Sequence, residues 1–283
     1  MEEKSAEVEG MSVQWIDFRA RWIEHGTGIP LVLIHGFPTG PSLWRDVMPR
    51  IVGARCIAWE MVGYGASMAE SRDQDISLAR QADYLALTLK HLGIERAVLA
   101  GHDLGGGVAQ IAAIRYPEIC AGLLLANAVA YDDPPVPNIS ILRGLVGTLR
   151  YLPNPPFRAV FRSLLRQGHD SYERAKASFD TYWPHYARNG GVASFRRQLA
   201  ALDPRDMLAI SDRIARVEVP ARLVWGVGDA SRSIEIGERL ARDLGAPLRR
   251  IEGAKHFTPE DHPEIIAEEI NGLLAKVRGT SQS

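Results

Sequence analysis

The sequence has little of several features that mark particular classes of protein. Only two of its 283 residues are cysteines, Cys56 and Cys120, and each lies within or beside a short apolar run. We therefore predict two reduced, buried thiols, and neither a disulfide framework nor a metal site. The 33 Lys and Arg residues almost balance the 34 Asp and Glu residues, which leaves a formal net charge of −1. A chain with this balance lacks the basic surface that is typical of a nucleic-acid-binding protein.

Long apolar runs are also missing. The longest are far too short to cross a bilayer, so we expect no membrane-spanning segment. The first residues, Met-Glu-Glu-Lys, are polar and no apolar stretch follows them, which is not the pattern of a secretory signal. We therefore expect a cytoplasmic protein that binds neither a membrane nor a nucleic acid.

Short apolar runs that alternate with helical patterns are present instead. Residues 31–34, 97–100 and 122–126 form continuous apolar runs, which are typical of strands buried on both faces of a sheet. Strands that alternate with helices imply right-handed crossover connections. The predicted fold class is therefore α/β, with a mostly parallel sheet flanked by helices.

The pattern changes in the middle of the chain. From about residue 131 to residue 212 only helical patterns occur, broken by prolines and glycines, and the alternation of strands and helices then resumes. We predict a core formed by residues 11–130 and 213–278, with a helical lid (or cap) of residues 131–212 inserted into it. Residues 1–10 are charged and are predicted to form a frayed N-terminal tail.

The most informative motif is Gly-His-Asp-Leu-Gly-Gly at residues 101–106, which follows a predicted strand and begins a helical pattern. A sharp, glycine-flanked turn between a strand and a helix is the setting of a nucleophile elbow, which usually carries serine at its centre. This chain has Asp103 there. A carboxylate can displace a leaving group at a saturated carbon and hold the product as an ester. We therefore predict that Asp103 is a covalent nucleophile.

Two later residues follow Asp103 in the chain order expected of a catalytic triad. Asp229 comes just after the predicted strand at 222–225, and His256 lies in the loop after the strand at 248–251. The loops that follow parallel strands open at the same edge of a sheet, where ligands bind. We predict that Asp229 orients His256 and stabilises its charged form, while His256 takes a proton from water. Asn127, at another position sometimes used for the acid, cannot stabilise an imidazolium by charge.

A His-Gly-Phe-Pro motif at residues 35–38 follows an early predicted strand. The loop at this place in such a fold supplies one donor of an oxyanion hole. We predict that the main-chain N–H groups of Phe37 and Leu104 surround a carboxyl oxygen of Asp103, because the covalent ester is hydrolysed at that carbonyl. The two histidines that flank the site in sequence, His35 and His102, are interpreted as structural.

With these motifs, the chain resembles the α/β-hydrolase superfamily over essentially residues 13–277. The His-Gly-Phe-Pro and Gly-His-Asp-x-Gly-Gly motifs are similar to those of epoxide hydrolases. The resemblance implies an α/β-hydrolase fold and a reaction that needs no cofactor and no metal. It also implies tyrosines in the lid that donate hydrogen bonds to the epoxide oxygen, because the departing alkoxide is otherwise a poor leaving group.

The candidate tyrosines follow from the same resemblance. Tyr151 lies in the first part of the predicted lid, where the first tyrosine of the family is expected. The second usually lies near a glycine-rich stretch, but here the residues after the glycines at 190 and 191 include Phe195 where tyrosine is expected. We predict Tyr186 as the second donor, with Tyr182, one helical turn away, as its substitute.

Haloalkane and haloacetate dehalogenases form the alternative, because they share the aspartate nucleophile. Haloalkane dehalogenases often place Trp after the nucleophile and Asn after His-Gly, where this chain has Leu104 and Phe37. Haloacetate dehalogenases have arginines for the substrate carboxylate, where this chain has Leu104 and Gly107, so an anionic substrate is disfavoured. Trp183 and His185 in the lid keep a halide substrate open. A non-catalytic small-molecule receptor on the same scaffold is a remote alternative.

The sequence thus predicts an epoxide hydrolase that opens an apolar epoxide to a vicinal diol. Its partners are expected to be the small substrate and water, and the protein is expected to be a monomer or a homodimer.

Overall fold

The computed structural model describes residues 1–8, 18–69, 74–131 and 154–280. In chain order the strands are β1 (Glu2–Val8), β2 (Phe18–His25), β3 (Ile29–Ile34), β4 (Ala54–Glu60), β5 (Ala97–His102), β6 (Cys120–Ala126), β7 (Ala221–Gly226) and β8 (Leu248–Ile251). The helices are α1 (Leu78–His91), α2 (Leu104–Arg115), α3 (Asn154–Gly168), α4 (Tyr172–Arg188), α5 (Gly191–Ala200), α6 (Pro204–Leu208), α7 (Ile234–Asp243), α8 (Thr258–Asp261) and α9 (Pro263–Thr280). Short 3-10 helices span Pro41–Trp44, Met48–Arg50, Gly65–Met68, Pro117–Ile119 and Ser211–Arg216.

The strands form one sheet in the order β1-β2-β4-β3-β5-β6-β7-β8. The β1–β2 and β2–β4 pairs are antiparallel, and every later pair in this order is parallel. The predicted α/β fold class, a mostly parallel sheet flanked by helices, is therefore confirmed.

The central strands are built from apolar residues that face helices on both sides. Every residue of β5 is buried, and Leu31–Ile34 of β3 and Leu123–Ala126 of β6 are fully buried. Helix α2 is likewise buried along almost its whole length, from Leu104 to Ile114. Burial on all faces explains why these segments show continuous apolar runs in place of an alternating pattern.

The prediction that residues 1–10 form a frayed N-terminal tail is wrong for residues 2–8. Glu2–Val8 is strand β1, which pairs antiparallel with β2 from Glu2–Glu24 to Val8–Phe18. The charged residues that indicated a frayed end are those of an edge strand, and Lys4 lies 3.1 Å from Glu24 on the neighbouring strand. Opposite charges across two strands and one buried end residue, Val8, stabilise a polar edge strand of this kind.

Between β6 and β7, the described residues form the helices α3 to α6 and the last 3-10 helix, with no strand among them. We call residues 154–208 the helical segment. This agrees with the helical pattern predicted for the middle of the chain, while the domain boundaries at 130, 131, 212 and 213 and the lid function stay predictions. The helical segment contributes Leu164, Gln167 and Met207, among others, to the wall of a cavity at the carboxyl edge of the sheet.

Candidate active site

Asp103 lies in the tight turn between β5 and α2 with φ of 51° and ψ of −118°. A non-glycine residue with positive φ carries backbone strain, which is the conformation expected of a nucleophile elbow. The turn requires glycine nearby, because a Cβ on Gly105 would collide with the main-chain oxygens of Ile34 and His35. The Asp103 carbonyl accepts hydrogen bonds from the N–H groups of Gly106 at 3.1 Å and Val129 at 3.1 Å, which hold the turn in place.

The two carboxylate oxygens of Asp103 have different partners. Oδ2 accepts a hydrogen bond of 3.1 Å from the main-chain N–H of Phe37, as predicted for one donor of the oxyanion hole. Oδ1 accepts a hydrogen bond of 2.9 Å from Nη2 of Arg232 and lies 3.9 Å from Nε2 of His256. Leu104, the other predicted donor, is the first residue of α2 and lines the same cavity as Asp103. Oδ1 is thus the oxygen that faces both the cation and the histidine.

The Asp103 carboxylate is buried, with 3% of its residue surface exposed. Burial alone would raise its pKa, but the charge of Arg232, then those of His256 and His102 and the Phe37 N–H, hold the pKa below the ordinary value of 3.8. The carboxylate is therefore ionised at neutral pH, which is the form that can act as a nucleophile.

The predicted acid and histidine lie together. Nδ1 of His256 is 2.8 Å from Oδ2 of Asp229, and both residues are buried. The same oxygen of Asp229 accepts a hydrogen bond of 2.7 Å from Nδ2 of Asn127, while Oδ1 accepts one of 2.6 Å from the N–H of Ser231. An acceptor at Nδ1 fixes the tautomer of His256, so that Nε2 points towards Asp103.

The electrostatics of this pair agree with that arrangement. Burial opposes the charge on each partner, but the mutual charge and hydrogen bond outweigh it in both cases. The pKa of Asp229 falls to about 2, and the pKa of His256 lies above its ordinary 6.5. His256 can therefore hold a proton more readily than a free imidazole, and the charge of Asp103 adds to this effect.

His35 and His102 both contact main-chain groups. Nε2 of His35 accepts from the N–H of Met61 at 3.1 Å, and its Nδ1 is 2.9 Å from the Gly36 carbonyl oxygen. Nε2 of His102 is 2.9 Å from the carbonyl oxygen of His256. Burial lowers the pKa of each histidine to about 4, so both are neutral. His102 thus contacts the main chain of the triad histidine through its carbonyl oxygen.

The structure does not bring Tyr182 or Tyr186 to the cavity beside Asp103. Tyr151 lies outside the described residues. The hydroxyl of Tyr182 donates to Oε1 of Glu260 at 3.0 Å, and that of Tyr186 donates to Oε1 of Gln198 at 2.6 Å and lies 3.4 Å from the carbonyl oxygen of Pro38. Both rings are buried, and neither belongs to the described residues that line the cavity beside Asp103. Their role as ring-opening donors stays a prediction.

The cavity beside Asp103 has a volume of about 140 Å³. A dry cavity of about 150 Å³ admits a benzene-sized molecule, so this space suits a small organic substrate. Its apolar wall includes Phe37, Leu78, Leu104, Val129, Leu164, Leu202, Met207 and Phe257. Its polar wall includes Asp103, Gln167, Asp203, Asp229, Ser231, Arg232, Lys255 and His256.

Two residues of the site were missed by sequence reasoning. Arg232 follows Asp229 by three residues in a loop with no motif, and only its ion pair with Asp103 identifies it. Sequence analysis considered Asn127 only as the acid of the triad and rejected it. In the structure its side-chain nitrogen donates to Asp229, and its side-chain oxygen accepts from Thr258 Oγ1 at 3.0 Å. The signal available in the sequence was its place directly after β6, at the same edge as the triad.

A second polar cluster, which is partly buried, joins the helical segment to the residues that follow His256. We call Arg45, His169, Ser178, Tyr182, Glu260 and Asp261 the Glu260 cluster. Nδ1 of His169 is 2.9 Å from Asp261 Oδ1, and its Nε2 is 3.3 Å from Glu260 Oε2. Glu260 also accepts from Ser178 Oγ at 2.5 Å and from Arg45 Nη1 at 2.6 Å.

One main-chain oxygen ties the same two regions together. The carbonyl of Gly168, the last residue of α3, accepts hydrogen bonds from the N–H of His256 at 3.0 Å and of Phe257 at 3.1 Å. A Cβ on Gly168 would lie 2.5 Å from the Phe257 ring, so only glycine fits at this contact. The end of α3 therefore sits directly against the main chain of the triad histidine.

Two further findings concern the described residues only. No group of three or more His, Cys, Asp or Glu side chains in those ranges is arranged to hold a metal ion. Within the same ranges, no helix has the length and the apolar character needed to span a membrane.

Comparison with known proteins agrees with this architecture. The sequence model of the family described as alpha/beta hydrolase fold matches residues 29–263. Haloalkane dehalogenase 2 of Mycobacterium tuberculosis is 29% identical over 279 residues, which cover 91% of this chain and 93% of that protein. An alpha/beta hydrolase fold protein from Burkholderia ambifaria has a TM-score of 0.81 and 28% identity, over 89% of this chain and 93% of that chain. The epoxide hydrolase CorEH has a TM-score of 0.76 over 98% of this chain and 100% of that chain, and at 20% identity it shows the fold alone. This chain is therefore a hydrolase that belongs to the alpha/beta hydrolase fold family.

Proposed function

We propose that this hydrolase displaces a halide from a saturated carbon through a covalent ester of Asp103, which water then hydrolyses. The observation that carries the proposal is the ionised Asp103 carboxylate at the elbow, with Oδ2 on the Phe37 N–H and Oδ1 3.9 Å from His256 Nε2. The two oxygens are thereby divided between an oxyanion site and an attacking position. We also propose that the helical segment acts as a lid that keeps bulk water from the cavity.

The first step forms a bond from Asp103 Oδ1 to the substrate carbon. The carbon–halogen bond breaks, and the halide leaves with the bonding electron pair. In the second step His256 Nε2 takes a proton from a water that attacks the ester carbonyl, and negative charge develops on Oδ2 beside the Phe37 N–H. The ester bond then breaks, the alcohol leaves with a proton, and one oxygen from water remains in the Asp103 carboxylate.

Halide displacement is preferred over epoxide opening because of the proton that epoxide opening requires. An epoxide oxygen leaves as an alkoxide and needs an acid donor, whereas a halide leaves as a stable anion. The hydroxyls of Tyr182 and Tyr186 are engaged with Glu260 and Gln198. The relationship to haloalkane dehalogenase 2 of M. tuberculosis over 91% of this chain supports the same choice.

Epoxide hydrolysis, the function that the sequence predicts first, is the second candidate. The observation in its favour is that the Tyr186 hydroxyl lies 3.4 Å from the carbonyl oxygen of Pro38, a residue of the cavity wall. The Tyr186 hydroxyl thus contacts a residue that lines the cavity, although Tyr186 itself does not line it. Both candidates use Asp103, Asp229 and His256 in the same roles and differ only in the leaving group.

A single-turnover experiment in heavy-oxygen water tests the shared chemistry. With enzyme in excess over 1-bromopropane or styrene oxide, the peptide that contains Asp103 gains one heavy oxygen as product forms. Release of bromide supports the first candidate, and formation of a diol supports the second. The Asp103→Asn variant, checked by mass for deamidation, is the control that releases neither product. Product formed without label at Asp103 would refute the covalent mechanism. Binding of these compounds without any turnover would favour the remaining alternative, a non-catalytic small-molecule receptor.

A further inference from the structure

Three successive main-chain N–H groups in the loop that carries the triad histidine donate to the helical segment. The N–H of Lys255 donates to Oδ1 of Asp170 at 2.8 Å. The N–H groups of His256 and Phe257 both donate to the carbonyl oxygen of Gly168, at 3.0 and 3.1 Å. The main chain on both sides of the histidine is therefore bound by the residues that connect α3 to α4.

We call residues 168–170 the α3–α4 turn, and its other polar groups bind the same region. The carbonyl oxygen of His169 accepts a hydrogen bond of 2.9 Å from the Lys255 ammonium. Oδ2 of Asp170 lies 2.7 Å from Nε2 of His262, so the carboxylate is held on both of its oxygens. All three residues of the turn thus contact the loop and the helices that follow β8.

The main chain of the nucleophile is bound by other parts of the molecule. The N–H of Asp103 donates to the carbonyl oxygen of Ala126 at 3.2 Å. The carbonyl of Asp103 accepts from the N–H groups of Gly106 and Val129. These partners belong to β6, to α2 and to the loop after β6, which are parts of the sheet and of its first flanking layer. The nucleophile is thus supported by the core, and the histidine is supported in part by the helical segment.

The two steps of the proposed reaction need these two residues separately. Attack of Asp103 on the substrate carbon needs no base, whereas hydrolysis of the ester needs His256 Nε2 within reach of a water. The hydrogen bond from Nδ1 to Asp229 fixes the tautomer, and the main chain that carries the ring sets its distance from Asp103. A misplacement of about 1 Å can cost about a hundredfold in rate. The support of this main chain therefore matters for the second step.

We propose that Asp170 is a positioning residue for His256, through which the helical segment controls hydrolysis of the Asp103 ester but not its formation. While the α3–α4 turn is in place, the N–H groups of residues 255–257 have acceptors, and the ring of His256 is held where it can activate water. When the turn moves away, these N–H groups lose their acceptors, and the loop is no longer held in one conformation. This inference rests on the proposed displacement reaction.

The test measures the two steps separately in Asp170→Ala. The Asp170 side chain is 28% exposed, so its removal leaves no cavity in the core. The experiment uses single turnovers of 1-bromopropane with enzyme in excess. We expect bromide release to stay within about twofold of the wild type, and 1-propanol release to slow by about tenfold, the effect of one hydrogen bond to a charged acceptor. Mass spectrometry of quenched samples then shows the ester on Asp103 persisting for longer.

Two further variants show whether the effect belongs to this hydrogen bond. Asp170→Asn keeps an acceptor for the Lys255 N–H, and we expect both rates to stay within about threefold of the wild type. His169→Gln loosens the same turn by removing the pair with Asp261, but no N–H of residues 255–257 loses its acceptor, so the ratio of the two rates should not change.

The inference is overturned if Asp170→Ala slows both steps by the same factor, or slows neither. It is also overturned if Asp170→Asn is as slow as Asp170→Ala, or if His169→Gln changes the ratio of the rates as much as Asp170→Ala does. The proposed function is unaffected by these outcomes, because each of them requires that the wild type releases bromide and 1-propanol.

Amide hydrogen exchange of the wild type needs neither a variant nor activity. We expect the N–H groups of residues 255–257 to exchange with the same free energy of opening as those of α4, and with the same dependence on low urea concentrations. Slower exchange than in α4 means that the core still holds the loop after the helical segment has opened, and faster exchange means that the turn does not hold it. Either result overturns the inference. If the wild type releases no bromide, the proposed function fails, while the exchange result still decides whether the turn holds the loop.

Discussion

Two buried histidines in this molecule, each paired with a carboxylate through Nδ1, have opposite surroundings. His256 is 2.8 Å from Asp229, and its Nε2 faces the cavity with Asp103 3.9 Å away. His169 is 2.9 Å from Asp261, and its Nε2 is 3.3 Å from a second carboxylate, that of Glu260. Burial opposes protonation of both, yet the carboxylates raise the pKa of both above 6.5.

The difference lies in the second ring nitrogen. At His169 both nitrogens face carboxylates, at 2.9 Å and 3.3 Å, and the ring stacks on Phe257 with centroids 4.5 Å apart, so neither nitrogen is open to a substrate. At His256 the second nitrogen, Nε2, lies 3.9 Å from Asp103 Oδ1, which is too far for a hydrogen bond, and it faces the cavity that a substrate can enter. A histidine–carboxylate pair therefore indicates a triad only when one nitrogen is left to exchange a proton.

The largest expected effect is the loss of turnover when His256 is replaced, a loss that we do not expect for His169. In His256→Gln, Asp103 can still attack but no base activates water, so steady-state turnover falls by roughly ten-thousandfold or more. We expect a burst of one halide per protein molecule, followed by a stop, with the ester retained on the peptide that contains Asp103. Stopped-flow halide detection and mass spectrometry measure both.

The matched variant is His169→Gln, which changes the other pair in the same way. We expect its turnover to stay within about tenfold of the wild type, because no step needs the His169 proton. A burst and stop in this variant as well would remove the distinction between the two pairs.

The acid of the active pair gives the next largest effect. Asp229→Asn keeps the shape but removes the charge that holds the His256 tautomer, and we expect kcat to fall by about ten-thousandfold, as in serine-protease triads. Asn127→Ala, which removes the hydrogen bond of 2.7 Å to Asp229 but keeps the Asp229 charge, is expected to cost far less. Steady-state kinetics compare the two variants. If they are equally impaired, Asp229 acts only through its packing.

The pH dependence of the two chemical steps sharpens the role of His256. Water activation needs neutral His256, whose pKa is raised above 6.5 by Asp229 and Asp103 against the effect of burial. We expect kcat to rise with pH, up to about tenfold per pH unit below the pKa of the intermediate. That pKa of His256 is lower than its pKa beside the free Asp103 carboxylate, because the ester no longer carries the Asp103 charge. The halide burst is expected to vary much less, and equal profiles for both steps would argue against the assignment.

A smaller effect concerns the free energy of unfolding, to which we expect the His169–Asp261 pair to contribute. The pKa of His169 is raised above 6.5 in the folded state, so its contribution is fully present below pH 6.5 and is lost as the pH rises through the folded-state pKa. We expect His169→Gln to lower the free energy of unfolding by about 3–5 kcal/mol at pH 6, as for a broken buried ion pair, and by less at pH 9. Urea titrations at the two pH values measure this. A loss that grows with pH would contradict the sign.

The smallest effect is expected at the tyrosines. Tyr186→Phe removes the hydrogen bond of 2.6 Å to Gln198, which lies away from Asp103. For halide release we expect less than about a threefold change in kcat/KM and about 1 kcal/mol of lost stability. A hundredfold loss with styrene oxide, measured as diol formation, would instead restore Tyr186 as a ring-opening donor.

The elements that sequence analysis located share a local signature. The elbow around Asp103, the acid at 229 and the histidine at 256 each follow a predicted strand, and parallel strands bring the loops at their carboxyl ends to one edge. Phe37 was found for the same reason, and its N–H is 3.1 Å from Asp103. A pattern within a few residues was sufficient in each case.

What sequence analysis missed depends on contacts between distant segments. Arg232 reaches Asp103 across 129 positions of the chain, and His169 reaches Asp261 across 92, so no spacing rule connects them. Tyr186 was placed on the correct helix, but its direction is set by Gln198, which packs from the next helix. The strand Glu2–Val8 was missed because the pairing with β2 that stabilises it is not visible in a polar sequence.

The double hydrogen bond from His256 and Phe257 to the Gly168 carbonyl sets a rule for engineering this protein. A segment transplanted from a relative into this region has to keep a glycine at the position of Gly168, the last residue of α3. Otherwise the loop bearing the proton acceptor loses its support, and the graft fails in catalysis even when both parts fold. Chimeras joined after residue 170 keep these two hydrogen bonds to the Gly168 carbonyl. We expect new substrate pockets to be exchangeable in chimeras of this kind.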